Sequence, residues 1–291
     1  MIGLGAMGGA LAQRLLQSGL DLVVHDLDAD AVAQLVAQGA QAGSSPRDVA
    51  CRAEVVLACL PSPEVSEQVA LGTEGIIHGT LVRQYVEMST IGVETTQRLA
   101  SALAARSISL LDAPVSGGRI GAASGRLTCF VAAPRADFDA AAPALRGLCD
   151  RLFHIGERPG QAQILKLANN MLNAANLCLA VEMVLMARKA GIDEATAIEV
   201  INASTGRSRA TEETFRTQIL TGAFDTGGKI AIAHKDVVLA VEQARALGVE
   251  HSVARAACAL WEAAAEAGHG GEDLSRIYQF VAGLNDLGTG P

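Results

Sequence analysis

The opening stretch of the chain, MIGLGAMGGALAQRLLQSGLDLVVHD (Met1–Asp26), decides the fold. Gly3, Gly5 and Gly8 are spaced G-x-G-x-x-G; a helical pattern follows at Ala10–Gln17, Gly19 closes it, and the apolar run Leu22–Val24 ends in His25 and Asp26. Strand, glycine turn, helix, second strand and terminal acid, in that order, are the fingerprint of a dinucleotide-binding unit. The glycines permit a tight turn and a close approach of a pyrophosphate, which sits at the positive end of the helix. Leu4, Ala6 and Met7 complete the contacting loop. Asp26 lies about 18 residues past Gly8, close to the spacing of about 20 expected of an acid that binds ribose hydroxyls. Leu27 follows it rather than a basic residue. A carboxylate there repels a 2′-phosphate, so NAD is favoured over NADP. Asp26 equally suits the N-cap of a helix over Ala29–Gln38, and the two roles are compatible. Only Met1 and Ile2 precede the turn, whereas a strand needs about five residues. The expectation is an unusually short first strand or a native start upstream.

Beyond Asp26 strands and helices alternate. Helical patterns fall at Asp48–Arg52, Glu64–Ala70, Glu94–Arg106 and Ala136–Leu148; apolar strand runs fall at Val55–Leu60, Tyr85–Met88, Ile108–Leu111, Leu127–Ala132 and Leu152–Ile155. This order predicts a Rossmann-type, doubly wound, mostly parallel sheet covered on both faces. Ligands of such sheets bind at the strands' C-terminal ends. Three of those ends stand out: Leu60-Pro61-Ser62, Ser89-Thr90 and the loop DAPVSGG, Asp112–Gly118. In that loop a serine beside two glycines exposes backbone N–H groups that can cradle a carboxylate or oxyanion. An ordinary turn before the next strand is the alternative.

After Gly160 strand signals vanish. GQAQILKLANNMLNAANLCLAVEMVLMARKAG, Gly160–Gly191, holds no proline and has glycines only at its ends, so it is predicted to run as one helix of roughly 45 Å. Most of it is apolar all round, which implies burial. Gln163, Lys166, Asn170 and Asn173 break that rule along one face, flanked by Asn169 and Asn176. The stripe reads either as a hydrogen-bonded seam between packed layers or as the wall of a site. Further helices follow at Glu194–Asn202, Thr211–Leu220, Lys235–Leu247, Val253–Ala267 and Leu274–Gly283, with Asp193, Ser252 and Asp273 as caps. The expected organisation is an α/β domain over residues 1–157 and an all-α C-terminal domain over 158–291, joined by the long helix. The tail Gly288–Pro291 is expected to fray.

Composition narrows the function. The formal net charge of -8 argues against non-specific nucleic-acid or anionic-membrane binding. The longest apolar run, near Leu177–Ala187, is broken by Glu182, so a membrane span is not expected. The six cysteines lack any C-x-x-C pair and sit mostly in apolar segments. They read as reduced core residues of a cytoplasmic protein, and zinc-ligand spacing is missing.

With these loops assembled, the chain resembles the β-hydroxyacid dehydrogenase family, which includes 3-hydroxyisobutyrate dehydrogenase and tartronate semialdehyde reductase. The resemblance runs through GLGAMG (Gly3–Gly8), LPSP (Leu60–Pro63), EMST (Glu87–Thr90), DAPVSGG (Asp112–Gly118), GQAQILKLANN (Gly160–Asn170) and HKD (His234–Asp236). It implies that Lys166 is the catalytic acid/base and that Asn170 orients the substrate. Ser116, Gly117 and Gly118 would hold the substrate carboxylate. Thr90 would touch the nicotinamide ribose, Leu60 and Pro61 would join the cofactor contacts, and Lys235 would close over the cofactor with Asp236 beside it. The implied reaction is NAD-dependent interconversion of a small β-hydroxy acid and its semialdehyde or keto acid by direct hydride transfer, with no metal. To act as base Lys166 must lose a proton, which partial desolvation and a neighbouring positive charge favour.

The family also implies a homodimer or homotetramer, and a bulky residue where Gly228 stands, which would open the pocket or loosen a loop. Arg119 and Arg207 could serve a second acidic group on the substrate, or be a solvated loop charge and a helix-end cation. An imine reductase on the same scaffold would carry another proton donor in place of Lys166. A 6-phosphogluconate dehydrogenase would have a larger helical domain and an acid in place of Asn173. A nucleotide-sensing binding module would have no use for Lys166, Asn170 and Ser116 together.

Overall fold

A strand forms at each apolar run of the first half, and two short ones, Gln41–Ala42 and Val115–Ser116, form where none was predicted. The computed structural model describes residues 1–288; of the tail expected to fray, 289–291 lie outside that range. Two compact units divide the chain, Met1–Lys166 and Leu167–Pro291.

In the first unit the elements run α1 (Ala6–Gln17), β1 (Val23–Val24), α2 (Ala29–Val36), β2 (Gln41–Ala42), α3 (Pro46–Arg52), β3 (Val55–Ala58), α4 (Pro63–Leu71), β4 (Gln84–Glu87), α5 (Val93–Ala104), β5 (Ser109–Asp112), β6 (Val115–Ser116), α6 (Gly118–Ser124), β7 (Leu127–Ala132), α7 (Arg135–Arg146) and β8 (Cys149–Gly156). β3, β4 and β5 pair in parallel. β7 runs antiparallel to β5 and β6 and parallel to β8. β1 and β2 form a parallel pair, which Ile2 joins to the rest by bridging His25 on one side and Ala58 on the other. The short first strand is therefore one bridged residue. Val56 and Tyr85, with Leu99 and Leu103, fill one face of the sheet; Leu11, Leu15, Leu111, Val131 and Leu145 fill the other. Burial on both faces explains the unbroken apolar run of β3.

Local chemistry sets the helix starts. Ser45 and Ser62 accept from Asp48 N and Val65 N, each followed by proline in the first turn, where a missing N–H costs nothing. Asp28, not Asp26, caps α2, accepting from Asp30 N and Ala31 N. The capping role considered for Asp26 is thereby replaced. α1 begins at Ala6, ahead of the predicted Ala10; Gly8 and Gly9 are poor helix formers and hid the first turn. The loop DAPVSGG is not a plain turn, since it contributes β6 and the start of α6.

The second unit is helical. α8 (Gln161–Lys189) begins in the first unit and continues into this one, followed by α9 (Glu194–Asn202), a π-helical stretch (Ala210–Ile219), α10 (Ile230–Ala246), α11 (Ser252–Glu266) and α12 (Ile277–Leu284). Trp261, Phe215, Tyr278, Leu177, Val181 and Val184 build its core. Asp193 and Asp273 cap as expected, but His251 occupies the N-cap position assigned to Ser252. α8 is not buried all round: Leu172 is 63% and Met186 61% exposed. By length and composition α8 could cross a membrane, contrary to the expectation from its interrupted apolar run. The same composition serves a core helix, and Leu177, Val181 and Val184 are buried in the helical core. Nor is the loop at Gly228 loose. A Cβ there would come within 2.6 Å of Leu274, and Asp273 accepts from Thr226 N, Thr226 Oγ1 and Gly227 N.

Candidate active site

The predicted phosphate loop has the shape its glycines imply. Gly3 adopts φ +82°, and a Cβ on it would lie 2.4 Å from the Cys59 carbonyl oxygen; a Cβ on Gly8 would lie 1.9 Å from the Gly3 carbonyl oxygen. Gly5 has nothing within 4 Å of its Cβ position and precedes α1 without any side-chain cap. The first N–H groups of α1 are thus left for an anionic ligand, as a pyrophosphate site requires. Asp26 closes the loop from the end of β1, its two oxygens accepting from Leu4 N and Asp28 N. It is half-buried, and Leu27 beside it is fully exposed. This cradle, closed where a Cβ would clash and open where a phosphate must enter, fits a dinucleotide.

Beside it stand the C-terminal ends of β3, β4 and β5. Leu60 N donates to Ser89 Oγ at 2.7 Å, tying the Leu60-Pro61 turn to the segment that carries Thr90. Glu87, fully buried at the end of β4, accepts from Ser89 N at 2.9 Å and from Tyr85 Oη at 2.7 Å. Burial raises the pKa of Glu87 against the pull of those bonds, and burial plus the neighbouring Glu87 raises that of Tyr85. Ser116 and Gly117 are half-buried and Gly118 exposed at the β6–α6 junction. Gly117 adopts φ +134° and Gly118 φ +65°, both unfavourable for a side chain.

Lys166 is 9% exposed, in the second turn of α8. The turn before it rests on Asp112, whose Oδ2 accepts from Gly160 N, Ala162 N and Gln163 N and whose Oδ1 accepts from Gln163 Nε2. Burial pushes the Asp112 carboxyl up to about 6, opposed by those four donors. The folded-state value lies above the ordinary 3.8, so folding favours the protonated form. Its contribution is complete below about pH 4 and is lost as pH rises through about 6, a swing of up to ~3 kcal/mol. Denaturant unfolding of wild type and Asp112→Asn across pH 4 to 7 should therefore give stability curves that converge or diverge over that window. Parallel curves would mean that Asp112 does not titrate there.

In the second unit Asn170 Nδ2 donates to Asp236 Oδ2 at 2.6 Å, and Lys235 Nζ lies 3.0 Å from Asp236 Oδ1. Asp236 is 6% exposed and holds both neighbours. Asn169 donates to Asn170 Oδ1, while Asn173 and Asn176 are exposed. The polar stripe of α8 thus divides: Gln163 is a buried seam, Asn170 belongs to a charged cluster, and Asn173 faces solvent. Arg119 and Arg207 are both exposed. Gln163 takes the hydrogen-bonded seam that was one of the two readings of the stripe, and Ser89 lies at a strand end the sequence had singled out. The carboxylates Glu87 and Asp112 had been given no role of their own, although acids that end apolar strands commonly accept buried N–H groups.

A family model described as the NAD binding domain of 6-phosphogluconate dehydrogenase matches residues 1–156. A second, described as NAD-binding of NADP-dependent 3-hydroxyisobutyrate dehydrogenase, matches 160–281. The chain belongs to the β-hydroxyacid dehydrogenase family. Within it, the chain is 34% identical to 2-(hydroxymethyl)glutarate dehydrogenase of Eubacterium barkeri over 99% of this chain and 96% of that protein. It is also 34% identical to 3-hydroxyisobutyrate dehydrogenase of Pseudomonas aeruginosa, over 97% of each. The crystal structure of 3-hydroxyisobutyrate dehydrogenase from Salmonella typhimurium superposes with a TM-score of 0.85 at 29% identity, covering 96% of this chain and 98% of that one. The β-hydroxyacid dehydrogenase reading makes the chain an oxidoreductase with a pyridine-nucleotide-binding domain, and the Rossmann-type sheet followed by a helical unit is the family's architecture.

Proposed function

We propose that the protein interconverts a small β-hydroxy acid and its semialdehyde or keto acid with NAD, Lys166 serving as general acid and base. The observation that carries this reading is a nearly buried lysine whose helix begins on Asp112, at the C-terminal edge of the sheet that also bears the glycine loop and Ser89-Thr90. When bound, the nicotinamide supplies the hydride acceptor for oxidation and the donor for reduction. The chain's own groups do the rest. Gly3, Leu4, Gly5, Ala6, Met7 and Gly8 hold the pyrophosphate, Asp26 the adenosine ribose, and Leu60, Pro61, Thr90 and Lys235 the nicotinamide end. Ser116, Gly117 and Gly118 hold the substrate carboxylate, and Asn170, oriented by Asp236, aligns the hydroxyl. The Lys166 amine takes the hydroxyl proton in oxidation and returns it to the forming alkoxide in reduction. The exposed Leu172, Leu179 and Met186 of α8 support assembly as a homodimer or homotetramer.

Absorbance of reduced cofactor, followed across a panel of β-hydroxy acids with NAD and with NADP, tests this directly. Turnover of none of them would overturn it. Asp26 carries the cofactor preference. Asp26→Asn removes the negative charge and leaves one accepting oxygen where two now receive Leu4 N and Asp28 N. It should raise the KM for NAD about tenfold and lower that for NADP, and an unchanged KM ratio would remove Asp26 from cofactor choice.

A further inference from the structure

Gln163 is fully buried, and each of its four hydrogen-bonding positions is used. Oε1 accepts from Ile91 N at 2.9 Å and Gly92 N at 3.2 Å, and Nε2 donates to Ser89 O at 3.1 Å and Asp112 Oδ1 at 2.8 Å. Two donors on one side and two acceptors on the other admit a single orientation of the amide. An apolar side chain would leave two N–H groups and two acceptors unpaired, and a carboxylate would set an acceptor against the Ser89 carbonyl and a like charge against Asp112. Gln163 therefore joins two things by itself: the segment Ser89–Gly92, which contains Thr90, and Asp112, which receives the first N–H groups of α8. Lys166 stands three residues further along the same helix face.

We propose that Gln163, seated on Asp112, is the positioning residue for Lys166, fixing the rotation of the helix turn that carries the amine and registering it against the Thr90 segment. The proposal rests on the reading of Lys166 as the proton-transfer group. A packing role alone would need only a side chain of this volume. The use of all four positions on two separate segments, Ser89–Gly92 and Asp112, gives the amide a directional role, and misplacing a reacting group by about 1 Å can cost on the order of 100-fold in rate.

The test uses the full chain and the hydroxy acid that turns over fastest in the panel. Gln163→Leu should lower kcat by about tenfold or more, with affinity for reduced cofactor, read by fluorescence, held within about twofold. Should that variant fail to fold, the isosteric Gln163→Glu carries the same expectation. Pairing Gln163→Glu with Asp112→Asn exchanges carboxylate and amide and restores a donor facing an acceptor, so the double variant should recover at least half of the logarithmic loss in kcat. In a Lys166→Ala background, Gln163→Glu should cause no further fall. A folded single variant with kcat near wild type, a swap no better than either single change, or an equal fall in the Lys166→Ala background would each overturn the proposal. Failure of the parent reading is seen separately, as Lys166→Ala alone retaining its rate.

Discussion

Replacing Lys166 with alanine should lower kcat by about 10²- to 10⁴-fold, the range that a positioned acid or base contributes, while leaving cofactor affinity near wild type. The lysine is 9% exposed, and the pyrophosphate and ribose contacts assigned to Gly3–Gly8 and Asp26 lie elsewhere. Losses confined to kcat would identify an interaction made in the transition state, whereas a rise in KM alone would identify ordinary substrate binding. Steady-state rates with fluorescence titration of reduced cofactor separate these outcomes. A variant that keeps more than about a tenth of the wild-type rate would remove Lys166 from proton transfer.

The second large effect is expected in the glycine loop, where two neighbouring substitutions should behave differently. A Cβ on Gly8 would sit 1.9 Å from the Gly3 carbonyl oxygen, a backbone atom with no freedom to yield. Gly8→Ala should therefore cost ~1–3 kcal/mol or more through overpacking and distort the turn that holds the pyrophosphate. Gly5→Ala meets nothing within 4 Å, and Gly5 has φ −60°, which alanine adopts freely. It should leave stability within about 0.5 kcal/mol but intrude where the pyrophosphate approaches, weakening cofactor binding at least about tenfold. Thermal unfolding and cofactor titration of both variants check the contrast. Equal cofactor affinity in Gly5→Ala and wild type would show that the pyrophosphate does not approach Gly5.

How much could be read in advance differed from element to element, for physical reasons. β3 announced itself because a strand buried on both faces demands an unbroken apolar run, and α8 because a long stretch without proline or internal glycine has few alternatives. Position along the chain was less legible. The start of α1 was hidden by Gly8 and Gly9, whose low helix propensity is overridden by the close packing they permit. β6 and α6 were invisible within DAPVSGG, because two strand residues and a short helix show no periodicity of their own. Leu172 and Met186 misled in the other direction, since apolar residues all round a helix need not all be covered within one chain.

The order of residues by itself determined the dinucleotide turn, the alternation of strands and helices, and a lysine and asparagine one turn apart on one long helix, because glycine spacing and apolar periodicity are local properties. Tertiary structure decided what those groups hold. Asp26 gives its carboxylate to Leu4 N and Asp28 N and leaves the capping of α2 to Asp28, Asn170 is tied to Asp236, and Gln163 meets Asp112 and the Thr90 segment. The partners stand 51 and 72 residues away in the chain. Such pairings exist only once the strand ends come together and buried donors must find acceptors.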